Sequence, residues 1–209
     1  MLHEFPLFFG AALILAILPG PGLFYVASRS LAAGRAEGLA SSAGTGLGGL
    51  AQVAAGAAGV SALVLASARL FALLKLAGAV YLVWLGVGMI RKAGGATVLV
   101  PVRQMGVGRA FIDGVLVEAF NPKTALFFLA FIPQFITPGG HVALQFACLG
   151  LISVALNTAA DTVVALAAGK LRRGLAGRTG LARRLQQGAG GVLISLGFGL
   201  ALTRRPFSP

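Results

Sequence analysis

The 209 residues include only 17 Lys and Arg and 5 Asp and Glu, so 11% of the chain is charged while 57% is apolar and the mean hydropathy is +0.92. A soluble domain carries about 25% charged residues and at this length buries only about 70% of its surface, so it could not hide so much aliphatic side chain. A soluble globular protein is therefore excluded, and the net charge of +12 reads as a topology signal between apolar runs, with no nucleic-acid partner expected.

Apolar runs lie at 5–28, 38–67, 70–90, 111–136, 142–169 and 188–203. A span needs about 20 apolar residues, so the first five are long enough to cross a bilayer, while the sixth is short. The pattern predicts an all-α polytopic membrane helix bundle with six transmembrane helices, in one domain over 1–209. Residues 1–6 contain Glu4 and no Lys or Arg, so no cleavable signal peptide is expected. The single cysteine, Cys148, cannot form an intrachain disulfide and reads as a small buried hydrophobe; with no His/Cys cluster, neither a metal nor another cofactor is expected.

In the first run, Pro19-Gly20-Pro21-Gly22 removes two backbone donors and must break or kink the helix. Broken backbone at membrane depth is tolerated only against protein or a watery cavity. Pro19, Gly20 and Pro21 are thus candidate site residues, the plainer alternative being a kink at a helix crossing. In the second run Gly44 and Gly48 form a GxxxG packing face that continues through Gln52, for an intrachain neighbour or a homo-oligomer. A tight hairpin at Ala68 and Arg69 leads to the third run. There Lys75 snorkels to the interface, Gly78 packs against a neighbouring helix, and Tyr81 and Trp84 pack or line a cavity.

The fourth run repeats the proline break at Asn121-Pro122-Lys123, after Glu118, whereas Asp113 lies near the polar end of that run and is solvated. Glu118 and Lys123 are five apart, about 140° around an ideal helix, so they do not meet unless the break brings them together. In the fifth run Asn157 and Asp161 are four apart and share a helix face. A charge at the bilayer centre costs about 2.5 to 3.5 kcal/mol or more, so Glu118, Lys123 and Asp161 must pair or line water. Two arrangements follow: an exchangeable site at Asp161, or a fixed Asp161–Lys123 ion pair that never titrates.

Arg29 and Arg35 fall in the first connection, Arg91, Lys92, Arg103 and Arg109 in the third, and six more basic residues between 170 and 184 in the fifth. Only Arg69, Arg204 and Arg205 belong to the other side, so loops one, three and five are expected in the cytoplasm. A central linker, 93–108, separates 1–92 from 109–209. Three spans in each half make an inverted repeat with broken first and fourth helices, and Gly20-Pro21 can be laid on Asn121-Pro122 as a weak internal echo.

These residues resemble the LysE/RhtB family of amino-acid exporters. The resemblance runs through Leu18-Pro19-Gly20-Pro21, the glycine face from Gly44, the stretch from Lys75 to Gly86 that reads KLAGAVYLVWLG, Gly114 seven residues before Asn121-Pro122-Lys123, and Asp161. It implies a multi-pass protein of the bacterial inner membrane that exports small amino acids or derivatives by exchange with protons. Glu118 departs from the family, which often has a neutral polar residue there. In this reading the zwitterionic substrate and the protons are handled by Pro19, Gly20, Pro21, Glu118, Asn121, Pro122, Lys123, Asn157 and Asp161. No phosphate-binding loop supports direct ATP drive, and no hydrolase motif is present, so an enzyme is not expected. The alternatives are an intramembrane enzyme acting on lipid or quinone through Asp161, and a passive solute channel.

Overall fold

The computed structural model describes residues 5–66, 104–137 and 140–175, together with individual helical positions within 73–91 and 184–202. Helix α1, Phe5–Ile17, and helix α2, Pro21–Ala33, are separated by the residues around Pro19 and bend by 43° at that break. Pro21 occupies the first turn of α2, where a missing N–H costs nothing, and Gly20 is its extended N-cap. A single residue, Gly34, then turns the chain into helix α3, Arg35–Ala66. Gly34 has φ 89° and ψ −174°, a combination open essentially to glycine alone.

Helix α4, Val107–Ala119, and helix α5, Pro122–Ala130, repeat the arrangement with the same 43° bend, and a 3-10 turn, Ile132–Phe135, prolongs α5. Here the extended N-cap is Asn121, whose side chain accepts from the Lys123 N–H, and Pro122 again stands in the first turn. Helix α6, Val142–Leu175, is continuous, and its segment Val142–Ala167 is long and apolar enough to cross a membrane by itself. Each bent pair is long enough to count as one further span.

Helix α3 is the spine, packed against α4 and α6 and also against α2. Its glycines set these distances. A Cβ on Gly44 would collide with the carbonyl of Phe111, and one on Gly48 would lie 2.5 Å from the carbonyl oxygen of Val115. From the other side, a Cβ on Gly114 would sit 2.7 Å from the Ser41 carbonyl oxygen. Backbone therefore rests on backbone along this contact. The partners advance together, from Gly44 at Phe111 to Gly48 at Ala119, so α3 and α4 run parallel. Helix α6 runs antiparallel to α3, with Gly56 against Phe146, Gly49 against Val154 and Gly46 against Thr158. Tyr25 of α2 donates to the carbonyl of Ala110 at 3.0 Å while Lys123 of α5 reaches α1, so the two broken spans are antiparallel.

Exposure is inverted relative to a soluble protein. Leu7, Ile17, Phe120, Leu144 and Val163 are each more than 60% exposed, whereas Arg29, Glu118, Lys123 and Asp161 are buried. An apolar exterior around a polar interior is what hydrocarbon solvent selects. The apolar core, built on Phe8, Leu15, Phe127, Phe128 and Phe146, lies where α1, α5 and α6 meet. The chain is an all-α membrane helix bundle.

Two expectations are corrected. Cys148 is exposed on α6; its outward position puts it on the apolar face, where a thiol is as acceptable as an alanine. Arg29 does not lie in a connection: α2 continues past it to Ala33 and buries it to 1% exposure. The hairpin at Ala68 and Arg69, and Lys75, Gly78 and Tyr81, lie outside the described residues. Trp84 is 67% exposed, and Gly197 approaches Val83 and Ala79 closely.

Candidate functional site

The two breaks face each other, and hydrogen bonds join them. Breaking α1 frees carbonyls that an unbroken helix would have satisfied. The Lys123 ammonium donates to two of them, Leu15 O at 3.1 Å and Leu18 O at 3.0 Å. The fourth span's break is held from α3. Gln52 Nε2 donates to the carbonyls of Glu118 at 2.7 Å, Ala119 at 3.1 Å and Asn121 at 3.1 Å.

Glu118, at the end of α4, directs its carboxylate into the gap between the breaks. Its Oε2 accepts from Asn121 Nδ2 at 2.8 Å and its Oε1 from Thr124 Oγ1 at 2.6 Å. A Cβ built on Gly22 would stand 2.5 Å from Glu118 Oε2, so glycine in the first turn of α2 leaves the room that the carboxylate fills. Asp161, from α6, accepts from Thr45 Oγ1 of α3 at 2.7 Å. The Thr45 hydroxyl also lies 2.9 Å from the Ser42 carbonyl oxygen. With one hydrogen it can serve only one of these two acceptors at a time.

Glu118, Lys123 and Asp161 line one cavity together with Gly22, Thr45 and Asn157. The space open to the centre of a water molecule is about 20 Å³, room for one or two waters and too little for an amino acid. Of the residues singled out from sequence, Glu118, Asn121, Lys123, Asn157 and Asp161 line this cavity, and Gly20 lies against Lys123, a Cβ there meeting its Nζ at 2.9 Å. Pro19, Pro21 and Pro122 shape the breaks. Gly44 and Gly48 lie outside the cavity, against α4. Asp161 and Lys123 do not form the direct ion pair considered above; each is held by other groups. Asn157 Nδ2 donates to its own helix at Ser153 O, 3.0 Å away.

Sequence reasoning missed Thr45 and Thr124, the hydroxyl donors to the two carboxylates. Thr45 follows Gly44 on a helix of small residues, where only its hydroxyl marks it. A second buried cluster was also missed. Arg29 Nε lies 3.7 Å from Glu37 Oε2, and Glu37 Oε1 accepts from the N–H groups of Met105 at 3.0 Å and Gly106 at 2.8 Å. A carboxylate there answers the positive end of α4. Asp113 lies near the polar end of its helix but is partly covered, its side chain 19% exposed and paired with the exposed Arg109 at 2.8 Å.

The sequence matches the LysE type translocator family over residues 13–204. The chain belongs to that family. It is 30% identical to a homoserine/homoserine lactone efflux protein of Salmonella typhimurium, over 91% of this chain and 92% of that protein. It is 31% identical to an uncharacterized membrane protein of Pseudomonas aeruginosa, over 88% of each. A threonine efflux protein of Salmonella typhi is 28% identical, over 95% of this chain and 98% of the relative. No solved structure matches this LysE-type translocator significantly.

Proposed function

We propose that the chain is a secondary exporter of amino acids or close derivatives, working by exchange with protons across the bacterial inner membrane. The observation that carries this reading is the convergence of two antiparallel, proline-broken spans on a buried cavity lined by Glu118, Lys123 and Asp161. Buried ionisable groups with freed backbone beside them suit a polar solute that must shed water at membrane depth. The efflux names of the relatives agree with it.

Asp161 is the exchange site. Its carboxylate holds a proton or a substrate ammonium in turn, with the Thr45 hydroxyl following by turning between Asp161 and Ser42 O. Alternating access then moves the α1–α2 span against the α3–α4 pair, and the Lys123 bonds to Leu15 and Leu18 are the contacts that break and re-form. The antiparallel broken spans, and α3 and α4 running parallel, support a reading of two inverted three-span halves. The side that carries Gly34, Glu37 and Arg109 is cytoplasmic in this assignment.

The test is efflux from liposomes containing the purified protein, loaded with a panel of amino acids, with and without an imposed pH difference. Solute should accumulate against its gradient only when protons flow the other way, and Asp161→Asn should abolish that dependence. Proton-driven efflux that persists in Asp161→Asn removes Asp161 from the role, and downhill flux indifferent to the pH difference makes the protein a channel.

A further inference from the structure

The cavity holds two carboxyl groups and one ammonium, and the ammonium is already committed. Lys123 Nζ is bonded to the carbonyls of Leu15 and Leu18, so its charge is directed at the α1 break. Glu118 fills the space beside Gly22 in the first turn of α2. Helix α2 has no side-chain cap at its N-terminus, and the first turn of a broken helix is the end that attracts an anion. The anion beside Gly22 is Glu118 itself, which also takes the Asn121 amide and the Thr124 hydroxyl. A substrate carboxylate entering this space would meet a like charge and find the Asn121 amide and the Thr124 hydroxyl in use.

We infer that Glu118 selects against a free carboxylate, so that the preferred cargo is a small monocationic amine whose carboxyl group is masked or absent, such as an amino-acid ester, amide or lactone. The inference rests on the exporter reading and narrows its substrate. The charge count agrees. Two carboxylates against one ammonium leave the empty cavity short of one positive charge. A proton supplies it on one leg of the cycle and a cationic amine on the other, so the cavity keeps the same net charge in both. A zwitterion brings no net charge and would leave the deficit unmet.

The experiment uses the full chain in liposomes, with protein-free vesicles subtracted to correct for leakage of the free base, and measures half-saturation in counterflow for matched pairs: homoserine lactone against homoserine, and threonine methyl ester against threonine. Like-charge placement in a desolvated site predicts that the masked member of each pair is taken about 10-fold better or more. Glu118→Gln keeps the shape and an acceptor for Thr124 while removing the charge, and should narrow that ratio to within about 3-fold by improving the free acid. Equal or better transport of the free acids by the unaltered protein overturns the inference, a result that needs no variant to fold. A Glu118→Gln protein, monodisperse on size exclusion, that keeps the full ratio also overturns it. Failure of every pair to show counterflow would instead sink the exporter reading itself.

Discussion

Replacing Gln52 with leucine isolates what holds the fourth span's break in place. Gln52 is 9% exposed and its two N–H groups serve three carbonyls at the junction of α4 and α5. Two of the three keep a backbone donor without it, since Glu118 O accepts from Asn121 N and Asn121 O accepts from Ala125 N. Ala119 O is different. In an unbroken helix the Lys123 N–H would reach it, but that group is taken by Asn121 Oδ1. Leucine therefore orphans one part-buried carbonyl, at about 1–3 kcal/mol, and removes a share of two further bonds at about 0.5–1.5 kcal/mol each. The loss is partly offset because Gln52 Oε1 is itself buried without a hydrogen-bond partner. The net expectation is a destabilisation of about 2 kcal/mol, which for a chain of this size lowers the melting temperature by about 4–8 °C. Thermal unfolding of the purified protein in detergent at one fixed scan rate measures it. A melting temperature within about 1 °C of the parent would refute the argument that α3 supports the broken backbone.

Gly44→Leu and Gly48→Leu push side chains into the α4 backbone and should each cost about 1–3 kcal/mol or prevent folding, whereas Gly10→Leu, with nothing within 4 Å, should be silent in the same thermal assay. Glu37→Gln removes the carboxylate beside buried Arg29 and the charge that accepts from the start of α4; a loss of about 1–3 kcal/mol is expected from thermal unfolding. Gly106→Ala forces a side chain onto φ 84° and ψ 154° and should cost about 1–3 kcal/mol in that measurement. Arg109→Ala breaks an ion pair whose arginine is 67% exposed, and the melting temperature should move by no more than the equivalent of about 0.5 kcal/mol.

The first, second, fourth and fifth apolar runs were legible as helices because hydrocarbon demands long apolar runs, and the breaks because proline cannot donate. Pro21 and Pro122 mark the start of a new half-helix at nearly the residue where the backbone turns. The glycine face was legible too, as a spacing, but its partner was not: nothing in Gly44 or Gly48 says that the neighbour is α4 rather than another molecule. Arg29 shows a deeper limit. Between Ser28 and Ser30 it looks like the edge of a span, and a charge-counting rule assigns it to a loop. It is buried beside Glu37, eight residues later and across the Gly34 turn, a contact made by folding. Thr45 and Thr124 stayed hidden for the same reason, since a hydroxyl gains its meaning from the carboxylate that another helix brings to it. Sequence also left open whether Lys123 pairs with an acid, and the freed carbonyls of α1 decide that question.

Helix α3 acts as a ruler for α4. Glu37 answers the N–H groups at one end of α4, and Gln52 answers the carbonyls at the other. Fifteen residues separate them, about 22 Å of helix, against about 20 Å for the thirteen residues of α4 and about 22 Å once its two caps are included. Between these ends Gly44, Gly48 and Gly114 bring backbone onto backbone. A pair of helices satisfied at both termini and packed without intervening side chains has little freedom to slide, because any shift opens both ends together. The α1–α2 span has no such double anchorage at its break: Lys123 holds it through two hydrogen bonds from a flexible side chain, and the polar cavity lies beside them. At the break itself the α1–α2 span is joined to α5 by these two bonds, and the cavity beside them is lined by the three charged side chains that the rest of the fold has enclosed.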